Sequence, residues 1–386
     1  MQHPVRIEAL TTPPRHHFFG YYGVNAWDRA RRRHLALETD FHDRRPGPED
    51  KATVGLVDRT TGRFRPYAET AAFNLQQGSM MFWIDAGPGE EFAFNDWQGP
   101  RLISRAVDPS SGRARALGAA IEAVSPAEPL AVGLNFARMA HLRPVVGYAN
   151  AAPPDAIDPC PDDDGLLLID LRSGEARLLL SIAEVVAAGR WELPADQPVW
   201  LNHVYYNPSG TRLFFLCRAK LEGRNFLSSL WTVNPDGTHL ACQIELGTWI
   251  SHMCWLDDRR IMVSTDVLGG RGGFVTFTDG EGDFAPIGRG VLPRDGHNAL
   301  SPAGRWIACD CYPRGPEPQA ELMLYDLQTN RKVTLGRFAS PEPFRYDIRC
   351  DLHPRWSGDG RLVTFDSIHE PTRQIYVADV SAIVGS

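Results

Sequence analysis

The sequence predicts an all-β fold, a single seven-bladed β-propeller with four antiparallel strands in each blade. One turn signature, an apolar strand that enters an Asp-, Asn-, Ser- or Gly-rich turn, recurs at intervals of about 45 to 65 residues. A β-sandwich or a pair of smaller β domains is not expected to repeat one signature seven times. The seven instances are LVDRTTGR, AVDPSSGR, LIDLRSGEAR, TVNPDG, TFTDGEG, LYDLQTN and YVADVS.

A second type of turn supplies the remaining strands of each repeat. It consists of an apolar run, a turn of Pro, Ser, Gly or Asp, and another apolar run. Examples are HVYYNPSGTRLFFL, HNALSPAGRWIACD and HPRWSGDGRLVTFD. Two hairpins per repeat give four strands, which is one blade. Helical periodicity is nearly absent, and one short helix is expected over residues 181–189.

The spacing of these turns predicts where the blades begin and end. The expected blades are 17–71, 72–117, 118–198, 199–247, 248–292, 293–348 and 349–386. Either the first residues of the chain or its last strand would then close the ring.

Composition and charge narrow the class of protein. The formal charge of -7 argues against a nucleic-acid partner, which requires a cationic surface. No stretch reaches the roughly 18 apolar residues of a membrane span, and the opening MQHPVRI lacks the apolar segment of a secretion signal. The seven cysteines show no zinc-finger spacing. We therefore expect a cytoplasmic protein with reduced thiols and no membrane or nucleic-acid partner.

Four histidines occupy the same register position in four successive inner hairpins. Each lies seven residues before the glycine, or in one case the arginine, of the following turn. The pairs are His203 with Gly210, His252 with Arg259, His297 with Gly304, and His353 with Gly360. Because rotation about the channel axis relates the blades, these imidazoles are expected to form a ring at one end of the channel.

The first three blades do not continue this pattern. Phe82 and Ile121 stand at about the equivalent places in blades two and three. A histidine with a purely architectural role would be expected in every blade, so the one-sided placement favours a functional metal or catalytic cluster. A structural metal is the alternative.

The residues beside these histidines do not decide which metal ion would bind. Neutral imidazole suits Zn²⁺, Mn²⁺, Fe²⁺ or Ni²⁺. Asp351 shares a strand face with His353 and would favour Mn²⁺, whereas Cys254 has the same relation to His252 and would favour Zn²⁺. We therefore expect a divalent ion, Mn²⁺ or Zn²⁺, bound by the four histidines and Asp351.

Polar side chains elsewhere are candidates for binding a carboxylated or hydroxylated ligand at the mouth of the channel. Arginine is the residue best suited to fork onto a carboxylate. Each residue, taken singly, is also explained by a role in a turn or in packing. The candidates are Tyr22, Gln77, Asn95, Arg138, Arg143 and Tyr148, together with Arg218 and Arg224, which follow the inner hairpin of blade four.

Three of the histidine blocks resemble those of the oligogalacturonate lyases, which are seven-bladed propellers, and of the related ulvan-lyase propellers. The blocks are His252-Met-Cys-Trp, Gly296-His297-Asn-Ala-Leu-Ser and Leu352-His353-Pro-Arg-Trp, and the Gly20-Tyr-Tyr opening is also similar. The resemblance implies a manganese ion, held by histidines and a glutamine, that binds a uronate carboxylate. It also implies that His297 and His353 are metal ligands and that His252 faces the substrate beside an arginine.

The chain departs from the family pattern at three places. The family's His-x-His block reads Asp351-Leu-His353 here, so that a carboxylate replaces one imidazole. The family glutamine falls on Ile348, and Asp347 is the nearest polar residue. No arginine matches the spacing of the family's basic residue, for which Arg218 and Arg224 are candidates.

The resulting functional hypothesis is a metal-assisted lyase that cleaves uronate-containing oligosaccharides by β-elimination. Its catalytic residues would come from His203, His252, Arg218 and Arg224, and its partner would be an acidic oligosaccharide. One alternative is a glycoside hydrolase on the same scaffold, with Asp347 or Asp351 as one of its two carboxylates. Another is a non-enzymatic binding propeller of the TolB or WD type with a structural metal.

Overall fold

Seven four-stranded antiparallel sheets form the molecule, and they confirm the predicted propeller. The structure is a computed structural model, and it describes residues 5–84, 90–154, 156–189, 191–220 and 226–385. First strands of neighbouring blades contact each other between blades three and four, five and six, and six and seven, which places the first strands innermost.

The chain begins with β1 (Arg6–Ala9) and then forms six blades from consecutive strands. Blade one contains β2 (His16–Phe18), β3 (Arg33–Thr39), β4 (Ala52–Asp58) and β5 (Phe64–Thr70). Blade two contains β6 (Phe82–Ile84), β7 (Glu91–Gln98), β8 (Arg101–Val107) and β9 (Ala114–Leu117). Blade three contains β10 (Ile121–Val124), β11 (Leu130–Gly133), β12 (Gly165–Asp170) and β13 (Ala176–Ser181).

The later blades carry the four histidines. Blade four contains β14 (Val199–Tyr206), β15 (Leu213–Ala219), β16 (Leu227–Val233) and β17 (Ala241–Thr248). Blade five contains β18 (Ile250–Trp255), β19 (Arg260–Thr265), β20 (Gly273–Thr278) and β21 (Ala285–Pro286). Blade six contains β22 (Asn298–Leu300), β23 (Trp306–Asp310), β24 (Gln319–Asp326) and β25 (Arg331–Ala339).

Blade seven joins the two ends of the chain. It contains β26 (Arg355–Trp356), β27 (Leu362–Ser367) and β28 (Gln374–Asp379), and β1 is its outermost strand. The pairing of β1 with β28 runs from Arg6 opposite Asp379 to Ala9 opposite Tyr376. Of the two ways to close the ring, the protein uses its first residues.

Six of the seven repeated turn signatures connect the third and fourth strands of a blade. Their turn residues have left-handed backbone angles, with φ from 52° at Asn330 to 87° at Gly237. The seventh signature, which ends near Ser381, continues into a short helix instead. The reason is topological: the fourth strand of blade seven comes from the other end of the chain, so no strand has to follow.

The described residues contain three α-helices and one 3₁₀ turn, none of them part of a blade. They are α1 (Phe136–Leu142), α2 (Ile182–Gly189), α3 (Ser381–Val384) and the turn Tyr346–Ile348. The predicted helix is present as α2, where Ser181 and Glu184 cap each other's backbone N–H groups. The sequence did not predict α1, which Asn135 caps in the long connection of blade three.

None of these helices is long and apolar enough to cross a membrane. All seven cysteines are free thiols.

A buried ionic cluster fastens blade seven to blade one. The Asp366 carboxylate accepts a hydrogen bond from the Arg355 guanidinium at 2.7 Å, and both side chains are 0% exposed. The same carboxylate accepts the backbone N–H of Gly20 at 2.9 Å, and Arg355 donates to the carbonyl oxygen of Tyr21 at 3.2 Å. The cluster therefore fixes the chain segment that carries two tyrosines into the central channel.

We expect the substitution Asp366→Asn to lower the free energy of unfolding by about 3–5 kcal/mol, because it leaves the Arg355 charge buried and unpaired. Urea denaturation followed by circular dichroism measures the change. The matched control is Glu281→Gln, which breaks the exposed pair with Arg259 and should cost about 1 kcal/mol or less. Equal losses in the two variants would contradict a special role for the buried cluster.

Candidate active site

Three of the four histidines pack against one another at the axis. The ring centroids of His252 and His297 are 4.0 Å apart, and those of His297 and His353 are 4.2 Å apart. The fourth, His203, joins the group through Tyr21, whose hydroxyl lies 2.6 Å from its Nδ1 atom. The register argument thus brings all four imidazoles to one end of the channel, with His203 one side chain removed from the other three.

Backbone irregularities occur at three of the four histidines. Strands β14 and β18 each shift register near their histidine, between Asn202 and Tyr205 and between Ile250 and Met253. His203 and His353 adopt left-handed φ values of 57° and 48°. Such β-bulges and positive φ angles redirect a side chain at a cost of roughly 1–3 kcal/mol, and they cluster at functional sites.

One buried carboxylate, Asp310, orients both His297 and His353. It accepts the backbone N–H of His297 at 2.8 Å and the Nδ1–H of the same residue at 2.9 Å. It also accepts the backbone N–H of His353 at 3.1 Å. Burial alone would lower the pKa of His297, but the charge and hydrogen bond of Asp310 outweigh burial and raise that pKa. Because Asp310 engages Nδ1–H, Nε2 is the nitrogen of His297 that remains for a ligand.

The donor set of His297, Asp351 and His353 fits a divalent cation. Their potential ligand atoms all lie within 4.8 Å of one another, and the three residues are buried. The Nε2 atoms of the two histidines are 3.2 Å apart, which is compatible with two adjacent ligands of one ion. The Asp310 contact to Nδ1 of His297 is the carboxylate–imidazole support that metal-bound histidines usually have. His203 and His252 are not members of this group.

His252 is held as a neutral imidazole with one nitrogen available. Its Nδ1–H donates to Asp295 at 2.9 Å, and Asp295 also accepts the Ser251 hydroxyl at 2.8 Å. The Tyr312 hydroxyl lies 3.3 Å from the Nε2 atom. Burial, and then the charge of the neighbouring His297, lowers the pKa of His252. A neutral imidazole oriented by a carboxylate is the arrangement expected of a general base.

Arginines form the other wall of the site. The guanidinium groups of Arg143 and Arg218 lie 4.5 Å and 4.4 Å from the ring centroid of Phe226. Arg218 is 5% exposed and donates to the Ser228 hydroxyl at 3.0 Å. Among the described residues, no carboxylate lies within ion-pair distance of either guanidinium. Burial lowers the pKa of Arg218 to about 9, so the group still carries its charge at neutral pH.

Arg218 is buried and Arg143 half-buried, and neither has a carboxylate partner in the part of the chain that the structure describes. A charge in such a position is costly unless an anion binds to it. A carboxylate matches the planar donor geometry of arginine. This wall of the site is therefore suited to an acidic ligand.

The remaining predicted substrate residues divide into two groups. Tyr22 lies under the histidines, with its ring centroid 5.0 Å from that of His297, and its buried hydroxyl lacks a hydrogen-bond partner. The Oε1 atom of Gln77 is likewise buried without a partner. Both residues therefore remain candidates for contact with a ligand or with water.

The second group is used for packing. Asn95 donates to the carbonyl oxygen of Ile121 and to the Tyr148 hydroxyl, which ties blade two to blade three. The Arg138 guanidinium donates to the carbonyl oxygens of Val199 and Asp158. These contacts give Asn95, Arg138 and Tyr148 structural roles within the protein. Arg224 lies outside the described residues.

Sequence reasoning missed several residues of this site, of which Asp295, Asp310 and Tyr312 contact the histidines directly. A signal for them existed in hairpin register. In blade six, Asn298 pairs with Cys309 across the turn, so continuing the hairpin puts His297 opposite Asp310 and Asp295 opposite Tyr312. Tyr21, Arg349 and Phe226 come from segments between strands or beside them, and their approach has no such signal.

No protein-family model and no curated protein sequence matches the chain. Solved structures do match its fold. The oligogalacturonate lyase of Vibrio parahaemolyticus superimposes with a TM-score of 0.66 at 14% identity, over 98% of this chain and 97% of that one. An oligogalacturonate lyase in complex with manganese gives 0.62 at 14% identity, over 97% and 96%. A puromycin-hydrolyzing peptidase of Mycobacterium tuberculosis gives 0.54 at 15% identity, over 90% of this chain and 50% of that one. The chain thus shares the fold of the oligogalacturonate lyases, which confirms at the level of the fold the resemblance that the histidine blocks indicated.

Proposed function

We propose that this protein is a lyase that cleaves uronate-containing oligosaccharides by β-elimination, with a divalent cation bound by His297, Asp351 and His353. One observation carries the proposal: a neutral histidine oriented by a carboxylate packs against a candidate cation site. Arg143 and Arg218, which have no carboxylate partner among the described residues, lie close enough to the neighbouring His203 to lower its pKa. The structural likeness to oligogalacturonate lyases, one of them solved with manganese, supports it.

These three features suit the chemistry of β-elimination. The proton at C5 of a uronate is weakly acidic because it is adjacent to the carboxylate, and its removal places negative charge on that carboxylate. A bound cation would stabilise this charge as it develops. The guanidinium groups of Arg143 and Arg218 bind and orient the substrate carboxylates through charge-assisted hydrogen bonds.

His252 is the residue we assign as the base. Asp295 holds its Nδ1–H, so the lone pair lies on Nε2, which accepts the Tyr312 hydroxyl in the ligand-free site and takes the C5 proton once substrate displaces that contact. The Tyr312 hydroxyl, 3.3 Å from that nitrogen, supplies a proton to the departing C4 oxygen, since burial raises its pKa well above the usual value and keeps it protonated. His203 is engaged with Tyr21 and has a positioning role in this scheme.

The glycoside hydrolase alternative is less well supported. Hydrolysis needs two carboxyl groups at the scissile bond, roughly 5–10 Å apart and free to act as acid and as nucleophile or base. The three carboxylates of the site, Asp295, Asp310 and Asp351, are each paired with a histidine or an arginine. Asp347 forms an ion pair with Arg45 on the surface.

A cytoplasmic location would suit the degradation of imported oligosaccharides.

We expect the purified protein to bind one equivalent of Mn²⁺, and the double variant His297→Ala/His353→Ala to lose it. Elemental analysis after dialysis against Mn²⁺ measures the ion. The control is His239→Asn, which replaces an exposed histidine in a turn of blade four and should leave the stoichiometry unchanged. A double variant that retains the ion would contradict this assignment of the ligands.

Elimination has a spectroscopic signature that separates it from hydrolysis. Acting on galacturonate oligosaccharides, the protein should release an unsaturated product that absorbs in the ultraviolet. His252→Ala should lower kcat by about 10²- to 10⁴-fold, because it removes the base, while the bound Mn²⁺ is retained. Cleavage into saturated reducing sugars alone would favour the hydrolase, and binding without turnover would favour the non-enzymatic propeller.

The arginine wall predicts selectivity for acidic sugars. Arg143→Gln and Arg218→Gln should each weaken binding of a uronate oligosaccharide by about tenfold or more, because each removes a charged hydrogen-bond donor. Titration calorimetry gives the Kd, with the uncharged galactose oligosaccharide of the same length as the reference ligand. Unchanged affinity in both variants would place the acidic ligand elsewhere.

A further inference from the structure

The carboxylate of the candidate cation site already has a cationic partner. The Arg349 guanidinium contacts both oxygens of Asp351, with Nε 2.5 Å from Oδ1 and a terminal nitrogen 2.7 Å from Oδ2. The Asp351 side chain is 2% exposed, whereas that of Arg349 is 26% exposed. The ion pair therefore lies at the boundary between the buried ligands and the open side of the site.

Packing holds Arg349 in this position. Its guanidinium lies 4.2 Å from the ring centroid of Tyr312, which in turn contacts His252. Its backbone carbonyl oxygen accepts a hydrogen bond from the Gln76 side chain at 2.6 Å. The guanidinium is thus clamped between an aromatic face and a buried carboxylate, unlike the side chain of a mobile surface arginine.

The contact differs from the support that metal ligands usually receive. A supporting partner typically donates to one oxygen of a ligating carboxylate and leaves the other to the ion. Here a bidentate guanidinium engages both oxygens, and it brings a positive charge to the place where a cation would bind. A guanidinium and a cation that share one buried carboxylate lie close together and repel each other strongly. Arg349 and a divalent cation consequently make competing demands on Asp351.

We infer that Arg349 competes with the divalent cation for Asp351 and so sets the affinity of the site for metal. This inference rests on the cation site proposed above. In the metal-free protein the guanidinium neutralises Asp351, and a cation must displace at least one of its two hydrogen bonds to bind. The site then responds to the concentration of free metal, in place of holding the ion permanently.

Titration calorimetry with Mn²⁺ on the chelator-treated protein tests this inference. Arg349→Gln should bind Mn²⁺ at least tenfold more tightly than the unaltered protein, because Asp351 is then free. The backbone contact to Gln76 does not involve the substituted side chain, and thermal unfolding of the metal-free variant checks that it folds. The matched control is Arg345→Gln, which removes an exposed arginine paired with Glu342 and should leave the Kd unchanged.

The opposite result has a distinct meaning. Equal or weaker binding by Arg349→Gln would overturn the inference, since a supporting partner of Asp351 would be lost without gain. Failure of both the unaltered protein and Arg349→Gln to bind Mn²⁺ would overturn the proposed cation site and the inference with it. Titration of His297→Ala/His353→Ala identifies any Mn²⁺ bound elsewhere, because such binding would survive in that double variant.

Discussion

Closure of the ring is the constraint on which the site depends. Seven blades meet at the axis only if their first strands converge, and residues at one register position then face each other across the channel. Pairing of β1 with β28 closes blade seven, and the Arg355–Asp366 pair locks that blade to the segment following β2. Without this closure the four blades that carry the histidines would not converge, and neither the imidazole cluster nor its contacts with Tyr21 and Tyr22 would form.

Two buried aspartates show how the repeated hairpin was adapted. Asp310 in blade six and Asp366 in blade seven occupy the same place, which is opposite His297 and His353 when the pairing of each inner hairpin is continued. Asp310 faces the channel and orients two histidines, whereas Asp366 faces blade one and neutralises Arg355. The same position of the repeat thus orients site histidines in blade six and connects the last blade to the first in blade seven.

The two walls of the site, the histidines on one side and Arg143 with Arg218 on the other, differ in whether their charged groups have partners. On the histidine wall each carboxylate has a partner, which leaves imidazole nitrogens as the available groups. On the arginine wall the guanidinium groups near Phe226 have no carboxylate among the described residues. The carboxylate of the proposed acidic sugar would supply the negative charge that this wall lacks among the described residues.

The sequence by itself determined the seven blades, the four-stranded hairpin pattern and the register of the four histidines, because strand and turn signals are local and repeat along the chain. Hairpin register also makes Asp310 predictable from the sequence, because continuing the pairing of blade six puts it opposite His297. Only the tertiary structure decided that Tyr21 and Arg349 enter the site and that Asn95 serves packing. Those contacts join residues from separate blades or connecting segments, and their geometry follows from ring closure and burial, which no local pattern encodes.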